Sequence, residues 1–277
     1  MNTIYHCFPG GKHKALTFSY DDGKVFDRHL VEVFNKNGLK GTFNLNSGIM
    51  PRDPDRIQPG EVKTLYAGHE VACHTYTHPT IARCPAEGVV QQVLEDRRLL
   101  EEMCGYAVRG LAYPNGSFSP EIMALLPYTG IRYARTVTST MGFAMPTNYM
   151  AWDATCHHKR DLMNLGEQFL GLYKTQYLYL MYVWGHSYEF DMDGNWQLIE
   201  DFCAKMGGKD DIWYATNIQI AEDEDAFKRL IFTSDLKHVH NPSFQSVWLS
   251  VNNEIVEVKG GAYASLYSTL FGLRPDD

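Results

Sequence analysis

The sequence predicts an α/β fold: parallel strands forming a barrel, or an incomplete barrel, with helices packed outside, followed by a small antiparallel β appendage. Three observations carry that expectation. Short apolar runs alternate with longer helical patterns about seven times, a rhythm that builds parallel strands joined by crossover helices. The 277 residues, 44% of them hydrophobic, can bury a large core, and α/β barrels of this size often form one domain. After residue 231 the texture changes to short alternating strands with turn residues between them. The expected division is a barrel over residues 1–230 and a β appendage over 231–277.

The elements follow in order. Residues 15–20 read as the first strand. Over 25–37, Phe26, Leu30, Val33 and Phe34 recur at helical spacing, and Gly38 suits a C-cap. A second strand covers 41–45. A short helix covers 59–67, with Pro59 at its start and Gly68 after its end, and a third strand covers 70–73. The clearest helix is 85–104, whose apolar face comprises Val89, Val90, Val93, Leu94, Leu99, Leu100 and Met103, with Gly105 to end it. A fourth strand at 108–112 precedes a helix capped by Ser119 with Pro120 in its first turn. Strands at 131–137, 177–183 and 212–216 then alternate with helices at 159–172, 195–206 and 221–230. In the appendage, short strands are expected at 230–233, 237–240, 246–251 and 255–259, with Asn252-Asn253 as a hairpin turn.

Composition excludes several classes. The net charge is −8, and the densest basic cluster, Lys12-His13-Lys14, is too small to track phosphates, so nucleic acid is excluded as a main partner. No window approaches the ~18 consecutive apolar residues of a membrane span. The first residues lack a basic segment followed by an apolar one, so no signal peptide and a cytoplasmic location are expected. The six cysteines form no C-x-x-C pair and read as reduced thiols, several of them buried.

In parallel barrels, catalytic groups gather where strands end. The first strand ends in Asp21-Asp22-Gly23, the third in His74 with His78 close behind, the fourth in Tyr113-Pro114-Asn115-Gly116, and the sixth in Gly185-His186-Ser187. The i, i+4 spacing of His74 and His78 puts both imidazoles on one side of a helical turn, within reach of one metal. Among eleven histidines, though, a bare pair is a loose pattern. Cys73 alternates away from His74 and belongs to the core. Adjacent carboxylates repel unless a cation or proton compensates. Alone, Asp21-Asp22 reads as a solvated turn before a helix. Beside the histidines, one Asp supplies the third ligand of a catalytic-type zinc arrangement, and the other stands where a base is needed. Spacing leaves open which is which. The role left for His186 is proton donor to a leaving group.

These residues carry a family resemblance. Thr17-Phe18-Ser19-Tyr20-Asp21-Asp22-Gly23 resembles the first motif of the polysaccharide deacetylases, also called carbohydrate esterase family four, the bearers of the NodB homology domain. Ser19-Tyr20 replaces the usual Thr-Phe. His74-Thr75-Tyr76-Thr77-His78 matches the second motif, His-Ser/Thr-x-x-His. Residues 111–116 are similar to the third, usually Phe-Arg-x-Pro-Tyr-Gly, and 179–186 to the last, an apolar strand ending in His. The resemblance spans about residues 14–216 and keeps the family's motif order. It implies a distorted (β/α)7 barrel. It implies that Asp22, His74 and His78 hold one divalent metal, zinc first and cobalt, nickel or manganese next. It implies that Asp21 takes a proton from the attacking water and that His186 protonates the departing group. Tyr113, Asn115 and Trp152 fall on the substrate and oxyanion side, with a backbone N–H near Asn115 facing the oxyanion.

The chain also departs from the family pattern. Ala112 stands where the third motif has the Arg that orients the catalytic Asp, and Arg109 lies three residues earlier. Asn115 replaces the motif's aromatic residue, and Trp152-Asp153 is the candidate fourth motif. The activity implied is removal of acetyl groups from N-acetylated sugars or acetylated glycans. The competing readings are an O-acetyl esterase on xylan-type chains, an amidase on a small cyclic amide, and a metal-containing carbohydrate-binding protein. The partner expected is an acetylated carbohydrate. The appendage is a candidate surface for a homo-oligomer or a cover for the barrel's open side.

Overall fold

In the computed structural model, which describes residues 2–266, a short strand β1 (Ile4–Cys7) precedes β2 (Lys14–Asp21), all eight of whose residues are buried. Burial on both faces is the mark of a strand with helices on one side and a barrel interior on the other. Leu16, Phe18 and Tyr20 point to the helices: the Phe18 ring lies 4.5 Å from that of Phe34 on α1 (Asp27–Lys36). Thr17, Ser19 and Asp21 point inward and hydrogen-bond to other strands and to a helix end.

The parallel path runs from β2 through β3 (Gly41–Leu45), β4 (Glu70–Cys73), β5 (Gly110–Ala112) and β6 (Tyr133–Ser139). Between these lie α2 (Val62–Leu65), α3 (Ala86–Cys104) and α4 (Pro120–Leu125). The helix ends match the sequence signals: Gly105 is left-handed at φ 82°, and the Ser119 side chain accepts from the Ile122 N–H. Then β7 (Trp152–Ala154) pairs with β6, and β8 (Cys156–His157) pairs with β9 (Tyr179–Gly185), which pairs back to β2. Thr155 alone separates β7 from β8, and its N–H donates to Tyr182 O at 2.8 Å. The segment 152–157 therefore closes the ring at seven strand positions.

The membership of that ring differs from the sequence expectation. Residues 152–157 were not expected as a strand, although Trp-Asp-Ala-Thr-Cys-His alternates apolar and polar side chains as a half-buried strand does. The expected seventh strand is β10 (Ile212–Tyr214), which follows α5 (Leu162–Leu170), α6 (Tyr188–Met192) and α7 (Trp196–Met206). It pairs with β2 only at Lys14–Leu16, while β3 pairs with β2 from Phe18 onward. A strand wedged between β2 and β3 at their amino ends is the distortion of this barrel.

The amino end is filled by α8 (Asn217–Lys228). The Asn217 N–H donates to Thr42 Oγ1 at 3.0 Å and the Ile218 N–H to Glu70 Oε2 at 2.9 Å. Glu70 also accepts from Thr42 Oγ1 (2.8 Å) and Tyr133 Oη (2.7 Å). Gly110 leaves room for that tyrosine, since a Cβ there would sit 2.1 Å from Tyr133 Oη.

Two small antiparallel sheets complete the described chain. One contains β11 (Ile231–Phe232), β12 (His238–His240) and β15 (Tyr263–Ser265). The other contains β1, β13 (Val247–Val251) and β14 (Glu254–Val258), so the amino-terminal strand is part of the appendage region. Asn252 and Asn253 both have positive φ, 53° and 72°, as a two-residue type I′ turn requires. The expected appendage residues 267–277 lie outside the described residues. All six cysteines are free. Among the described residues no helix is long and apolar enough to cross a membrane.

Burial pushes the Glu70 carboxyl up to about 7, against three donors that favour its charged form. Its folded value exceeds its unfolded one, so its stabilising contribution is whole below the unfolded value and is lost as pH rises through about 7. Glu70→Gln keeps the shape and can donate to Tyr133 Oη. Urea unfolding from about pH 5 to pH 8 should show stability falling with pH in the native chain and a shallower slope in Glu70→Gln.

Candidate metal centre

The rim where β2, β4, β5 and β9 end is built from strained turns. Asp22, Thr75, His78 and Asn115 all have positive φ, between 56° and 78°. For the β-branched Thr75 this is a costly conformation that its surroundings must enforce. They do: the Asn46 amide donates to His74 O at 2.5 Å and to Thr75 O at 3.0 Å. Buried Asp96 on α3 accepts from the His74 N–H (3.1 Å) and from Ser47 (2.7 and 2.8 Å). Gln92 on α3 holds the Tyr76 and Thr77 N–H groups. His74 and His78 thus meet through a left-handed loop, not the helical turn that their spacing implied.

The meeting itself is close. His74 Nε2 and His78 Nε2 are 3.1 Å apart, and His78 Nε2 is 4.0 Å from Asp22 Oδ1. The three residues' ligand atoms all lie within 4.8 Å of one another. His74 Nδ1 lies 2.8 Å from Ala112 O. A carbonyl accepts only, so Nδ1 carries the proton and the Nε2 lone pair faces the cluster, the usual outer support of a metal-bound imidazole. Burial lowers the His74 pKa despite Asp21 and Asp22, which keeps the ring neutral as a ligand must be. Two neutral-type imidazoles and a carboxylate fit a divalent zinc-like ion.

Asp21 points the other way, into the barrel. Arg135 on β6 donates through Nη2 to both its oxygens, and Asn44 Nδ2 donates to Oδ1 at 2.8 Å. Arg135 is fully buried. Its Nε donates to Ser19 Oγ (3.2 Å), its Nη1 to Thr136 O (2.9 Å), and its guanidinium lies 4.5 Å from the Trp184 ring centroid. Burial alone would raise the Asp21 carboxyl. Arg135, the strongest opposing influence, outweighs it and holds the group down at about 2. Asp21 is therefore ionised, 3.9 Å from His74 Nε2. Sequence reasoning missed Arg135. The signal was available: a cation two residues inside a strand expected to be buried needs an anionic partner.

His186 follows β9, one residue before Ser187, which donates to buried Asp27 on α1. The His186 N–H donates to Glu189 Oε2 at 3.1 Å, and its Nδ1 lies 3.3 Å from the same oxygen. Burial would lower the His186 pKa, but Glu189 and Asp21 outweigh it and raise the value. Glu189 is the second residue that sequence reasoning left without a role.

The remaining expected residues divide. Asn115 lies on the rim, and its amide donates to Thr80 Oγ1 at 3.2 Å. Tyr113 is buried, with its N–H on Arg135 O and its hydroxyl on Met150 O, so its side chain has no face for a substrate. Trp152, expected at the sugar subsite, is fully buried between Tyr133 and Tyr182, with ring centroids 5.4 and 5.0 Å away. It fills the barrel because β7 is a closing strand. Arg109 pairs with Glu222 on α8, away from Asp21.

Residues 9–134 match the polysaccharide deacetylase family model, a span that contains Asp21, Asp22, His74 and His78. Over 132 residues the chain is 28% identical to a chitooligosaccharide deacetylase from Sinorhizobium fredii, covering 47% of this chain and 60% of that one. Over 114 residues it is 25% identical to a peptidoglycan-N-acetylglucosamine deacetylase from Bacillus cereus, covering 40% of each. The chain thus spans less than two thirds of the length of each of these relatives. A crystal structure from Mycobacterium smegmatis, assigned as a polysaccharide deacetylase, superposes with a TM-score of 0.60 at 18% identity, covering 80% of this chain and 93% of that one. At that identity the likeness is one of fold.

Two outcomes follow from the geometry. His78→Ala should lose tightly held metal after dialysis, measured by elemental analysis, while its far-ultraviolet circular dichroism stays unchanged. Arg135→Met leaves Asp21 buried and unpaired, and should cost about 3–5 kcal/mol in urea unfolding. Adding Asp21→Asn should recover part of that loss, a coupling visible in a double-mutant cycle.

Proposed function

We propose that the chain, whose residues 9–134 match the polysaccharide deacetylase family model, is a member of that family and that its rim site hydrolyses the acetyl group of an N-acetylated sugar or oligosaccharide. One observation carries the reading: an ionised Asp21, held by Arg135, stands directly beside the Asp22, His74 and His78 donor set. Asp22, His74 and His78 would hold the divalent ion, zinc by the chemistry of the donors. When bound, such an ion polarises an acyl oxygen and acidifies water.

The chain's own residues supply the rest. Asp21 takes a proton from the water that attacks the acetyl carbonyl. Arg135 and Asn44 fix the direction of its carboxylate. In the turn after β5, the N–H groups of Tyr113, Gly116 and Ser117 are engaged within the protein, and Pro114 has none. The Asn115 N–H is the donor left to face the developing oxyanion. His186, whose pKa is raised, carries a proton to the departing amine. The products are acetate and the free amino sugar. The activities for which the two relatives are named, on chitooligosaccharide and on peptidoglycan N-acetylglucosamine, support an N-acetyl substrate.

Acetate release from chitooligosaccharides, set against acetylated xylooligosaccharides, tests the substrate. Release from the xylan-type substrate alone would replace the amide reading with an ester one. Asp21→Asn should lower kcat by at least about a hundredfold while retaining bound metal. Full activity in that variant would remove Asp21 as the base.

A further inference from the structure

A second set of metal-type donors lies beside His186. Its members come from the end of β8, where the barrel closes, and from the helix after β9. His157 and His158 follow one another at the end of β8, and Glu189 lies on α6. His157 Nε2 is 3.1 Å and His158 Nε2 3.4 Å from Glu189 Oε2. A tetrahedral ion with bonds of about 2.0–2.2 Å places its ligand atoms about 3.3 Å apart, so these separations have the size a shared ion requires. All three ligand atoms lie within 4.8 Å of one another.

The second observation is independent of spacing. His158 is 1% exposed, and neither of its ring nitrogens has a hydrogen-bond partner. Buried polar atoms are almost always bonded, so two orphan nitrogens on one ring need an explanation. The fold also makes specific room for this ring. It stacks on Phe190 at 4.1 Å and on Tyr20 at 5.8 Å, and Gly185 lacks the Cβ that would sit 2.1 Å from its Nδ1. A buried imidazole placed with this care, its Nε2 3.4 Å from a carboxylate oxygen, is suited to ligate a metal ion.

We propose that His157, His158 and Glu189 form a second divalent transition-metal site on the same rim, weaker than the first, whose filling takes Glu189 away from His186. Its weakness follows from the His157 ring. The Lys159 N–H donates to His157 Nδ1 at 3.2 Å, so the neutral ring carries its proton on Nε2. Coordination through Nε2 moves that proton to Nδ1 and gives up the bond. The first site has no such cost, because His74 already carries its proton on Nδ1. The coupling follows from Glu189 Oε2, the oxygen that His186 Nδ1 approaches at 3.3 Å. An ion that takes Oε2 removes the carboxylate that orients the His186 ring. The site thus acts as a brake engaged by excess zinc. The binding claim is independent of the deacetylase reading, while the brake rests on it.

Equilibrium dialysis of the full chain against graded zinc, read by elemental analysis, tests the binding. The native chain should take up one zinc tightly and a second at a free concentration at least tenfold higher. His158→Phe, which refills the space between Tyr20 and Phe190, and His157→Asn should each stop at one. His74→Ala should keep the weak site and lose the tight one. One zinc per chain at every concentration, or two in both His158→Phe and His157→Asn, would overturn the site. Acetate release at high zinc divided by that at low zinc should fall severalfold in the native chain and stay near unity in His158→Phe. Equal ratios in both would overturn the brake, whatever the absolute activity.

Discussion

The buried pairing of Arg135 with Asp21 is the interaction on which the rest of the rim depends. A carboxylate at 3% exposure and a guanidinium at 0% are each expensive to desolvate, and neither could stay charged in the barrel alone. Together they satisfy one another, and the surplus donors of Arg135 go to Ser19 and Thr136. Asp21 is thereby drawn inward, and its neighbour Asp22, one residue further along a strand, must turn outward toward His78. The left-handed backbone at Asp22 completes that divergence. Two adjacent carboxylates that would repel are separated, one ionised against Arg135 and the other beside His78, each in its own electrostatic surroundings.

The polar interior follows from the same alternation. Along β2 every second residue faces the barrel, and the inward set Thr17, Ser19 and Asp21 meets Asn217 from α8, Asn44 from β3 and Arg135 from β6. The outward set, Leu16, Phe18 and Tyr20, meets the helices. Toward the amino end the interior carboxyl is Glu70, packed under aromatic rings and pushed up to about 7, whereas at the rim Asp21 is held at about 2. Both are buried to a similar degree. The difference is the partner: Glu70 receives neutral donors and Asp21 a cation.

This division explains what could be read in advance. The order of strands β2 to β6, α3 with its Gly105 stop, and the Asn252-Asn253 turn follow from periodicity and turn chemistry, which are local properties. Asp22, His74 and His78 were legible because they sit at strand ends and match motifs. The closing segment 152–157 was overlooked although it alternates, because six residues with a single large apolar side chain make a weak signal and their pairing on both sides is a tertiary fact. The short α6, carrying Glu189, spans five residues, too few to show a helical period. Trp152 was misplaced because its distance along the chain from the other motif residues says nothing about which side of a strand it occupies. The helical turn assumed for 74–78 failed because Asn46, Asp96 and Gln92, from other elements, impose a left-handed path that no local propensity would choose.

Arg135 is the most informative of these cases, because the family pattern pointed one strand away. The resemblance placed an arginine at position 112, and the chain has alanine there. In the barrel, β5 and β6 are paired in register with Ala112 opposite Arg135. Two residues so paired in parallel strands share a level and a face, so a guanidinium from either can reach Asp21 across the interior. Both positions cannot be arginine, since the second cation would be buried without an anion. The small side chain at 112 is then a consequence of the arginine at 135. Ala112 keeps a separate duty through its carbonyl, which sets the tautomer of His74. One position thus orients His74 through its backbone while its neighbour orients Asp21 through its side chain, and the pairing needs the level in the barrel, not the position in the chain.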